Sequence, residues 1–185
     1  EPFPEYELTG TIPKDLRAER GKILSFWNDS IWGEMVKIDK QENSEFRDDL
    51  VDAFCKMIIG WKECNCKWVT CIPSLKNPSL VPNFARKVAT KLNLPFIDAV
   101  TKVKDNQPQK LQENSFYQCK NLDGVFRVKE NLISEPVLLI DDVSDSAWTL
   151  TLISYLLKKN GSGSVYPAVL STSTGVDKEE VLNKT

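Results

Sequence analysis

The chain has 185 residues, of which 41% are hydrophobic, and its formal net charge is −2. This length suits one domain with an extension, and the hydrophobic share is too high for a globally disordered chain. The slightly negative charge argues against binding of nucleic acid by the whole domain, so we expect direct DNA binding to be weak or absent. The apolar runs are too short for a membrane span.

The N-terminal residues 1–43 are predicted to be a helical connector that precedes a domain at residues 44–185. The opening EPFPEYELTG lacks an initiator Met and the basic and apolar regions of a signal peptide, so we expect an internal position in a longer protein. The stretch IPKDLRAERGKILSFWNDSIWGEMV predicts one or two short helices, broken near Gly21 and Gly33. Its tryptophans are interpreted as packing residues rather than a platform for bases.

Residues 44–60 predict a strongly amphipathic helix. Asn43 or Ser44 suits its N-cap, and Gly60 suits its end. The helix is expected to cover one face of a core, because apolar side chains recur at helical spacing at Phe46, Leu50, Val51, Phe54, Met57 and Ile58.

The five cysteines are an odd number in a chain without secretory features, which predicts reduced thiols and a cytoplasmic location. The stretch ECNCKWVTC (63–71) has a C-x-C-x4-C spacing that differs from standard zinc fingers, and the chain has no histidine, so no zinc is expected. Without histidine, Ser-His and Cys-His nucleophiles are excluded. Acid–base chemistry would then depend on Asp, Glu, Lys or Tyr.

The middle of the chain predicts alternating strands and helices. KWVTCI (67–72) favours a strand, and a helix is predicted over FARKVATKL after Pro82. LPFIDAV (94–100) and GVFRV (124–128) are further predicted strands. The polar residues 101–121 between them predict a long loop and a candidate lid, in which Lys102, Lys104 and Lys110 either approach a ligand or are simply solvated.

The C-terminal part continues this alternation. PVLLI (136–140) predicts the most hydrophobic strand, TLTLISYLLKKNG predicts a helix that Gly161 stops, and SVYPAVL predicts another strand. The tail TGVDKEEVLNKT is either a last helix or a frayed end. The whole pattern predicts an α/β fold, with a parallel β-sheet flanked by helices.

The stretch PVLLIDDVSDSAWTLT (136–151) carries the strongest chemical signal. Two unpaired carboxylates on a core strand are costly unless they emerge at its end, so we expect Asp141 and Asp142 at the solvent edge. The hydroxyl-rich turn after them leads into a helix N-terminus, where free amides and the helix dipole suit phosphate. Acids for sugar hydroxyls beside a phosphate cradle predict a phosphorylated sugar as ligand. The alternative is a pair of solvated residues without function.

The segment VLLIDDVSDSAWTL resembles the phosphoribosyl-pyrophosphate (PRPP) signature of type I phosphoribosyltransferases, four apolar residues and two acids followed by V-x-x-T-G-x-T-L. The resemblance implies that Asp141 and Asp142 hold the ribose hydroxyls and contact Mg²⁺ indirectly, and that Asp145 accepts a proton. Two departures are Ser146, in place of Thr, and Ala147, in place of Gly, where the added methyl or a demand for positive φ would weaken phosphate binding. The implied ligand-binding residues are Asp141, Asp142, Ser144, Ser146, Ala147, Trp148 and Thr149, with Ser74, Leu75 and Lys76 at the pyrophosphate.

A longer pattern covers nearly the whole chain. WVTCIPSL, VPNFA, ENSFYQCKNLDGVF and PVLLIDDV, in this order, resemble the C-terminal segment of RecQ-like DNA helicases, in which a phosphoribosyltransferase-like domain follows the helicase core. The segment 101–126, with Gln109 and Asn121, resembles the ComF-like branch of the fold. The resemblance implies a phosphoribosyl-type ligand with Mg²⁺, parent helicase domains as partners and a possible homodimer. No G-x-x-x-x-G-K-[ST] occurs, so this chain lacks a helicase motor.

These observations leave three functional hypotheses. The first is an accessory or regulatory domain of a RecQ-like helicase, involved in DNA repair, that retains a PRPP-type site. The second is an active phosphoribosyltransferase that transfers phosphoribosyl from PRPP to an unidentified base or amine. The third is a docking domain for DNA or protein in which the site is vestigial.

Overall fold

A computed structural model describes residues 3–8, 10–106 and 120–173. Four strands, β1 (Lys22–Phe26), β2 (Trp68–Cys71), β5 (Val137–Ser144) and β6 (Val165–Thr172), form one sheet. The strand order is β1-β6-β5-β2, and all three pairings are parallel. Two short strands, β3 (Val100–Lys102) and β4 (Phe126–Val128), form a separate antiparallel pair.

Helices cover both faces of this sheet, as the alternating pattern predicted. One face packs against α1 (Trp32–Ile38), α2 (Asp48–Ile59) and α3 (Leu80–Leu92), and the other against α4 (Trp148–Lys159). The central strand β5 supplies both cores because its side chains alternate, with Leu138 on the first face and Leu139 on the second. The predicted α/β fold is therefore confirmed.

The edge strand β1 contradicts part of the helical prediction for the N-terminal segment: α1 is helical as predicted, but Gly33 lies inside it and does not break it. The residues of β1 pair in register with β6, from Lys22 beside Ala168 to Phe26 beside Thr172. Gly33 allows α1 to approach the end of this strand, since a Cβ atom at this position would lie 2.0 Å from the carbonyl oxygen of Phe26. The five residues of β1 do not favour a strand over a helix by themselves. Their pairing with β6 therefore decides that they form a strand. The domain boundary after residue 43 stays a prediction.

The first residues of the chain also pack into the core. Tyr6 is 6% exposed, and its hydroxyl accepts a hydrogen bond from the Phe126 amide (2.7 Å) and donates one to the Phe126 carbonyl (3.0 Å). Phe3 and Leu8 are buried beside it. The N-terminal segment is thereby fastened to β4, next to the C-terminal half of the domain.

The Tyr6 hydroxyl gives a first prediction. We expect Tyr6→Phe to lower the free energy of unfolding by about 1–3 kcal/mol, because it leaves two buried backbone groups of Phe126 unpaired. Tyr155→Phe is the matched control, since the contact of its hydroxyl with the backbone, at the Tyr6 carbonyl, is longer at 3.5 Å. Urea unfolding of both variants checks this, and equal effects would contradict the proposed role of Tyr6.

Other predicted elements differ in detail. Helix α2 starts after Arg47, without a side-chain cap from Asn43 or Ser44, and ends at Gly60 as predicted. The predicted strand at 94–100 makes only one parallel bridge, between Phe96 and Val69, and its end joins β3 instead. Most of the candidate lid and the C-terminal tail lie outside the described residues. Within the described ranges, no helix is long and apolar enough to cross a membrane.

Candidate functional site

The acid pair lies inside strand β5 and not at its end. Strand β2 ends where Cys71 pairs with Ile140, whereas β5 continues beside β6 as far as Ser144. The acids are therefore past the carboxyl end of β2 but still within the ladder between β5 and β6. The prediction that Asp142 lies at the solvent edge is wrong, since this residue is only 7% exposed. The reason is that β5 continues to pair with the longer strand β6 beyond the end of β2.

The regular alternation of β5 is interrupted at the acid pair. Leu138 and Ile140 pack on the face of helices α1 to α3, and Val143 packs on the same face, where strict alternation would place it on the other. The side chains of Asp141 and Asp142 interact with each other, and the charge of Lys40 acts on both acids. The two acids nevertheless differ in their closest partners.

Asp142 is fully engaged within the protein. Lys40 Nζ lies 2.5 Å from its Oδ2 atom, and the Val143 amide donates to its Oδ1 atom over 2.6 Å. The sequence analysis missed Lys40, which stands in the unremarkable stretch DKQEN and matches no motif. Only the fold brings it to a carboxylate about one hundred residues away in the chain.

A buried ion pair holds the segment that carries Lys40. The π-helical turn Asp39–Asn43 follows α1, and the Asp39 side chain, 1% exposed, accepts hydrogen bonds from the Arg47 guanidinium (2.6 Å at Nη2), the Arg47 amide (2.8 Å) and Asn43 Nδ2 (2.8 Å). Burial acts to raise the pKa of Asp39, but these donors outweigh it and lower the pKa overall. Asp39 and Arg47 thus position Lys40 for Asp142.

This ion pair gives a second prediction. We expect Asp39→Asn to lower the free energy of unfolding by about 2–3 kcal/mol at neutral pH, somewhat less than for a fully buried pair, because the Arg47 side chain is 35% exposed. Since the pKa of Asp39 is lowered in the folded state, this stabilisation is present above the unfolded value of about 3.9 and is lost as the pH falls through the folded value.

Asp52→Asn is the control for that prediction. It removes the exposed ion pair with Lys91, for which we expect a loss below about 1 kcal/mol. Urea unfolding between about pH 3 and pH 7, a range that includes the ordinary carboxyl pKa, compares the two variants. A loss for Asp39→Asn that does not depend on pH would contradict the role of its charge.

Asp141 is the acid that remains available. Its Oδ1 atom accepts the Asp142 amide over 2.8 Å, its carboxyl also interacts with the Asp142 side chain, and no ion pair of Asp141 within 4 Å occurs among the described residues. Burial is the main cause that raises the pKa of Asp141 well above its usual value, and the nearby Asp142 charge adds to this, while Lys40 partly offsets it. A ligand that supplies hydrogen-bond donors or positive charge would stabilise the ionised form of this buried carboxyl.

Lys102 is close enough to Asp141 for their charges to interact. Lys102 stands at the end of β3 with a side chain 15% exposed, and burial is the main cause that lowers its pKa, against the charges of Asp105 and Asp141. Lys76, which is exposed, acts on Lys102 as a like charge. Of the other candidate lid lysines, Lys104 lies near Gly124 instead, and Lys110 is outside the described residues.

The turn at residues 145–149 leads into helix α4. None of its five amides donates a hydrogen bond within the part of the chain that the structure describes. The Ser146 hydroxyl is buried and likewise has no partner there. Ala147 has φ −69° and ψ −6°, an ordinary helical conformation, so this position does not demand the positive φ that only glycine adopts readily.

Two other polar side chains at this turn already make hydrogen bonds within the protein. The Ser144 hydroxyl donates to the Ser146 carbonyl over 3.2 Å, and Asp145 accepts a short hydrogen bond from the Ser173 hydroxyl, which sequence reasoning missed. The Trp148 side chain, at the start of α4, is half-buried and packs against the core. Thr149 is half-buried in the first turn of α4.

The loop after β2 reaches the same edge of the sheet. The Lys76 amide donates to Ser74 Oγ over 3.3 Å, which shapes a tight turn. Leu75 is 46% exposed at its tip. The structure therefore brings the two predicted parts, residues 74–76 and 141–149, to the carboxyl ends of adjacent strands.

The acids do not form a metal site by themselves. Lys40 occupies Asp142, and the described residues contain no group of three or more Cys, Asp or Glu side chains that could hold a metal ion. The donor set does not fit a directly bound Mg²⁺. It fits one carboxylate, that of Asp141, near an Mg²⁺ ion that arrives with a ligand. The indirect contact of the acids with Mg²⁺ therefore stays a prediction.

The parallel four-stranded sheet flanked by helices is similar to the fold of solved type I phosphoribosyltransferases. The solved structure of an adenine phosphoribosyltransferase matches with a TM-score of 0.52 and 16% identity over 74% of this chain and 75% of that chain. This likeness concerns the fold alone. Neither models of protein families nor curated protein sequences gave a match.

Two other solved structures are similar below a TM-score of 0.5 and add no argument. An adenine phosphoribosyltransferase from Leishmania tarentolae has a TM-score of 0.47 and 11% identity over 84% of this chain and 94% of that chain. An allosteric regulatory enzyme of purine biosynthesis has a TM-score of 0.46 and 16% identity over 66% of this chain, which spans only 25% of that enzyme.

Proposed function

We propose that this chain is a phosphoribosyltransferase-like domain that binds PRPP, or a related ribose 5-phosphate, at the carboxyl edge of strands β2 and β5. One observation carries the proposal: the Asp141 carboxylate lies on the strand that leads into the turn at residues 145–149, where neither the five amides nor the Ser146 hydroxyl has a hydrogen-bond partner among the described residues. Sugar hydroxyls suit the carboxylate, and a 5′-phosphate suits the amides at the start of α4.

Charge supports the same ligand. Lys102 interacts with Asp141, and Lys76 is near enough to Lys102 to act on its charge, so two lysines are close together here, which suits a diphosphate on the ribose. Magnesium that arrives with PRPP would neutralise part of this diphosphate, and Asp141 would then meet it only through the sugar or water. Asp142 has another task here, which is to anchor Lys40 and to fix the backbone of β5.

The wider role that we propose is that of a C-terminal accessory or regulatory domain of a RecQ-like DNA helicase in the cytoplasm, within the ComF-like branch. The sequence pattern from WVTCIPSL to PVLLIDDV supports this role, with the parent helicase domains as partners and a possible homodimer. A chain in which the parent's helicase core is present should change its DNA-stimulated ATP hydrolysis when PRPP is added. Equal rates with and without PRPP would contradict a regulatory role.

An active phosphoribosyltransferase is the second candidate. Its support is Asp145, which the Ser173 hydroxyl orients through a short hydrogen bond and which could accept a proton from an incoming base or amine. Release of pyrophosphate from PRPP in the presence of a nucleobase or ammonia would favour this candidate. Binding of PRPP without turnover would favour the regulatory domain.

Calorimetry with PRPP and Mg²⁺ tests the binding site itself. We expect saturable binding, competed by ribose 5-phosphate and by pyrophosphate, with thermal stabilisation of the protein. Absence of both heat and stabilisation would refute the site and favour a vestigial docking domain. Steep salt-dependent binding of DNA by this chain would point to the same third candidate.

Ala147 gives a third prediction. We expect Ala147→Gly to tighten PRPP binding, because removal of the methyl allows the phosphate to approach the backbone, while stability changes by less than about 1 kcal/mol at this N-cap position. Calorimetry and thermal unfolding measure the two effects separately. Unchanged affinity would show that the methyl is not an obstacle, without affecting the other contacts.

A further inference from the structure

Two cysteines lie together at the opposite end of the sheet from the candidate site. Cys64 and Cys66 belong to the loop between α2 and β2, which enters the sheet at its amino edge. Their Sγ atoms are 2.8 Å apart, so that one thiol donates a hydrogen bond to the other sulfur. This distance is shorter than an ordinary contact of two unbonded sulfur atoms, and a disulfide would need about 2.05 Å.

The loop is held in place but remains accessible. The Cys64 amide donates to the Trp61 carbonyl over 3.1 Å, and the Trp61 ring is buried edge-on against Tyr166 with centroids 5.4 Å apart. Both cysteines are half-buried, whereas Glu63 and Asn65 beside them are exposed. A small reagent can therefore reach this pair without unfolding of the core.

The two thiols differ from each other and from the buried ones. The hydrogen bond from Cys66 is the main cause that lowers the pKa of Cys64, and the same contact, together with burial, raises the pKa of Cys66. Burial raises the pKa of Cys55 to about 11 and that of Cys71 to about 12. Thiolate character, on which nucleophilicity depends, is thus concentrated at Cys64.

We propose that Cys64 and Cys66 are a redox-active dithiol that small disulfides oxidise to an intramolecular Cys64–Cys66 disulfide. The Cys64 thiolate attacks one sulfur of the small disulfide, breaks its S–S bond and forms a mixed disulfide, while the first small thiolate leaves. Cys66 then loses its proton and attacks the Cys64 sulfur, which releases the second small thiol. The protein loses two hydrogen atoms, and the small disulfide is reduced to two thiols. Before oxidation both cysteines are free thiols, as the sequence predicts.

Glutathione disulfide tests the proposal on the full chain, independently of any ligand of the candidate site. The background is Cys119→Ser, because that cysteine lies outside the described residues. After incubation, quenching by alkylation and proteolysis, mass spectrometry should find a Cys64–Cys66 cross-link, and free thiols at Cys55 and Cys71. In Cys66→Ser the reaction should stop at a glutathione adduct on Cys64, formed at least about tenfold faster than any adduct on Cys55.

Cys64→Ser is the matched variant. With the attacking thiol removed, we expect the glutathione adduct on Cys66 to form at least about tenfold more slowly than that on Cys64 in Cys66→Ser. Circular dichroism of each serine variant shows whether it folds. The absence of a cross-link in excess glutathione disulfide, or equal reactivity of Cys64 and the buried Cys55 in the folded chain, would overturn the proposal.

Discussion

Asp141→Asn should weaken the binding of PRPP by about 10- to 100-fold, the usual effect of losing a charged hydrogen-bond partner worth about 1.5–3 kcal/mol. The same change should stabilise the free protein. Burial and the Asp142 charge raise the pKa of Asp141, so its ionised form is unfavourable in the folded state. Asparagine keeps the shape of the side chain and removes the charge. A gain of about 1 kcal/mol is the expected order at neutral pH.

The pH dependence of stability shows whether the stabilisation by Asp141→Asn comes from removal of the carboxylate charge. A carboxyl whose folded pKa is raised makes the protein lose stability as the pH rises from the unfolded value, about 3.9, through the folded value. The wild-type protein should show this loss, and Asp141→Asn should lack it. Thermal unfolding at several pH values measures the difference. Equal pH profiles would contradict the environment that we describe for Asp141.

Asp142→Asn is the matched control, since it alters the neighbouring acid, whose partner is Lys40. It leaves the partly exposed Lys40 without its ion pair, so we expect a loss of stability of about 1–2 kcal/mol. Its effect on PRPP binding should be smaller than that of Asp141→Asn. A larger loss of affinity for Asp142→Asn would mean that the ligand displaces Lys40 and uses Asp142 instead.

Deletion of residues 1–43 should abolish cooperative folding. The deletion removes strand β1 and leaves β6 as an unpaired, largely apolar edge. It also removes the turn that places Lys40 on Asp142, and several buried side chains of both cores, namely Phe3, Tyr6, Leu8, Ile12, Ile23 and Val36. Size-exclusion chromatography and urea unfolding of residues 44–185 check this expectation. A soluble fragment with a cooperative transition would instead support the domain boundary predicted from the sequence.

Point variants separate the strand from the rest of the segment. Ile23→Ser, at a buried position of β1, should lower the free energy of unfolding by about 2–4 kcal/mol. Ile31→Ser, at a position 59% exposed in the same segment, should change it by less than about 0.5 kcal/mol. Similar losses in both variants would contradict the role that we assign to β1.

Most of the fold could be predicted because hydrophobic periodicity reports it directly. The apolar stripe of α2, the β-branched run of β2 and the continuous apolar run at the start of β5 are local patterns that each allow one conformation. The stretch at β1 lacks such a pattern, and neither its pairing with β6 nor the single bridge of Phe96 leaves a signal in neighbouring residues. These elements depend on partners that are distant in the chain.

The candidate site divides in the same way. The motif at residues 137–149 predicted where acids, hydroxyls and a helix start would meet, and the structure brings residues 74–76 to the same edge of the sheet. The motif did not predict that the two acids differ. Their difference comes from Lys40, which occupies one of them.

By itself, the sequence determined the alternation of strands and helices, the acids inside VLLIDDVSDSAWTL and the turn that follows them, because these depend on residues close together in the chain. Only the tertiary structure decided that β1 completes the sheet, that Lys40 neutralises Asp142 and that Asp141 remains available. The physical reason is that pairing of strands and burial of charges are settled by contacts between segments more than one hundred residues apart.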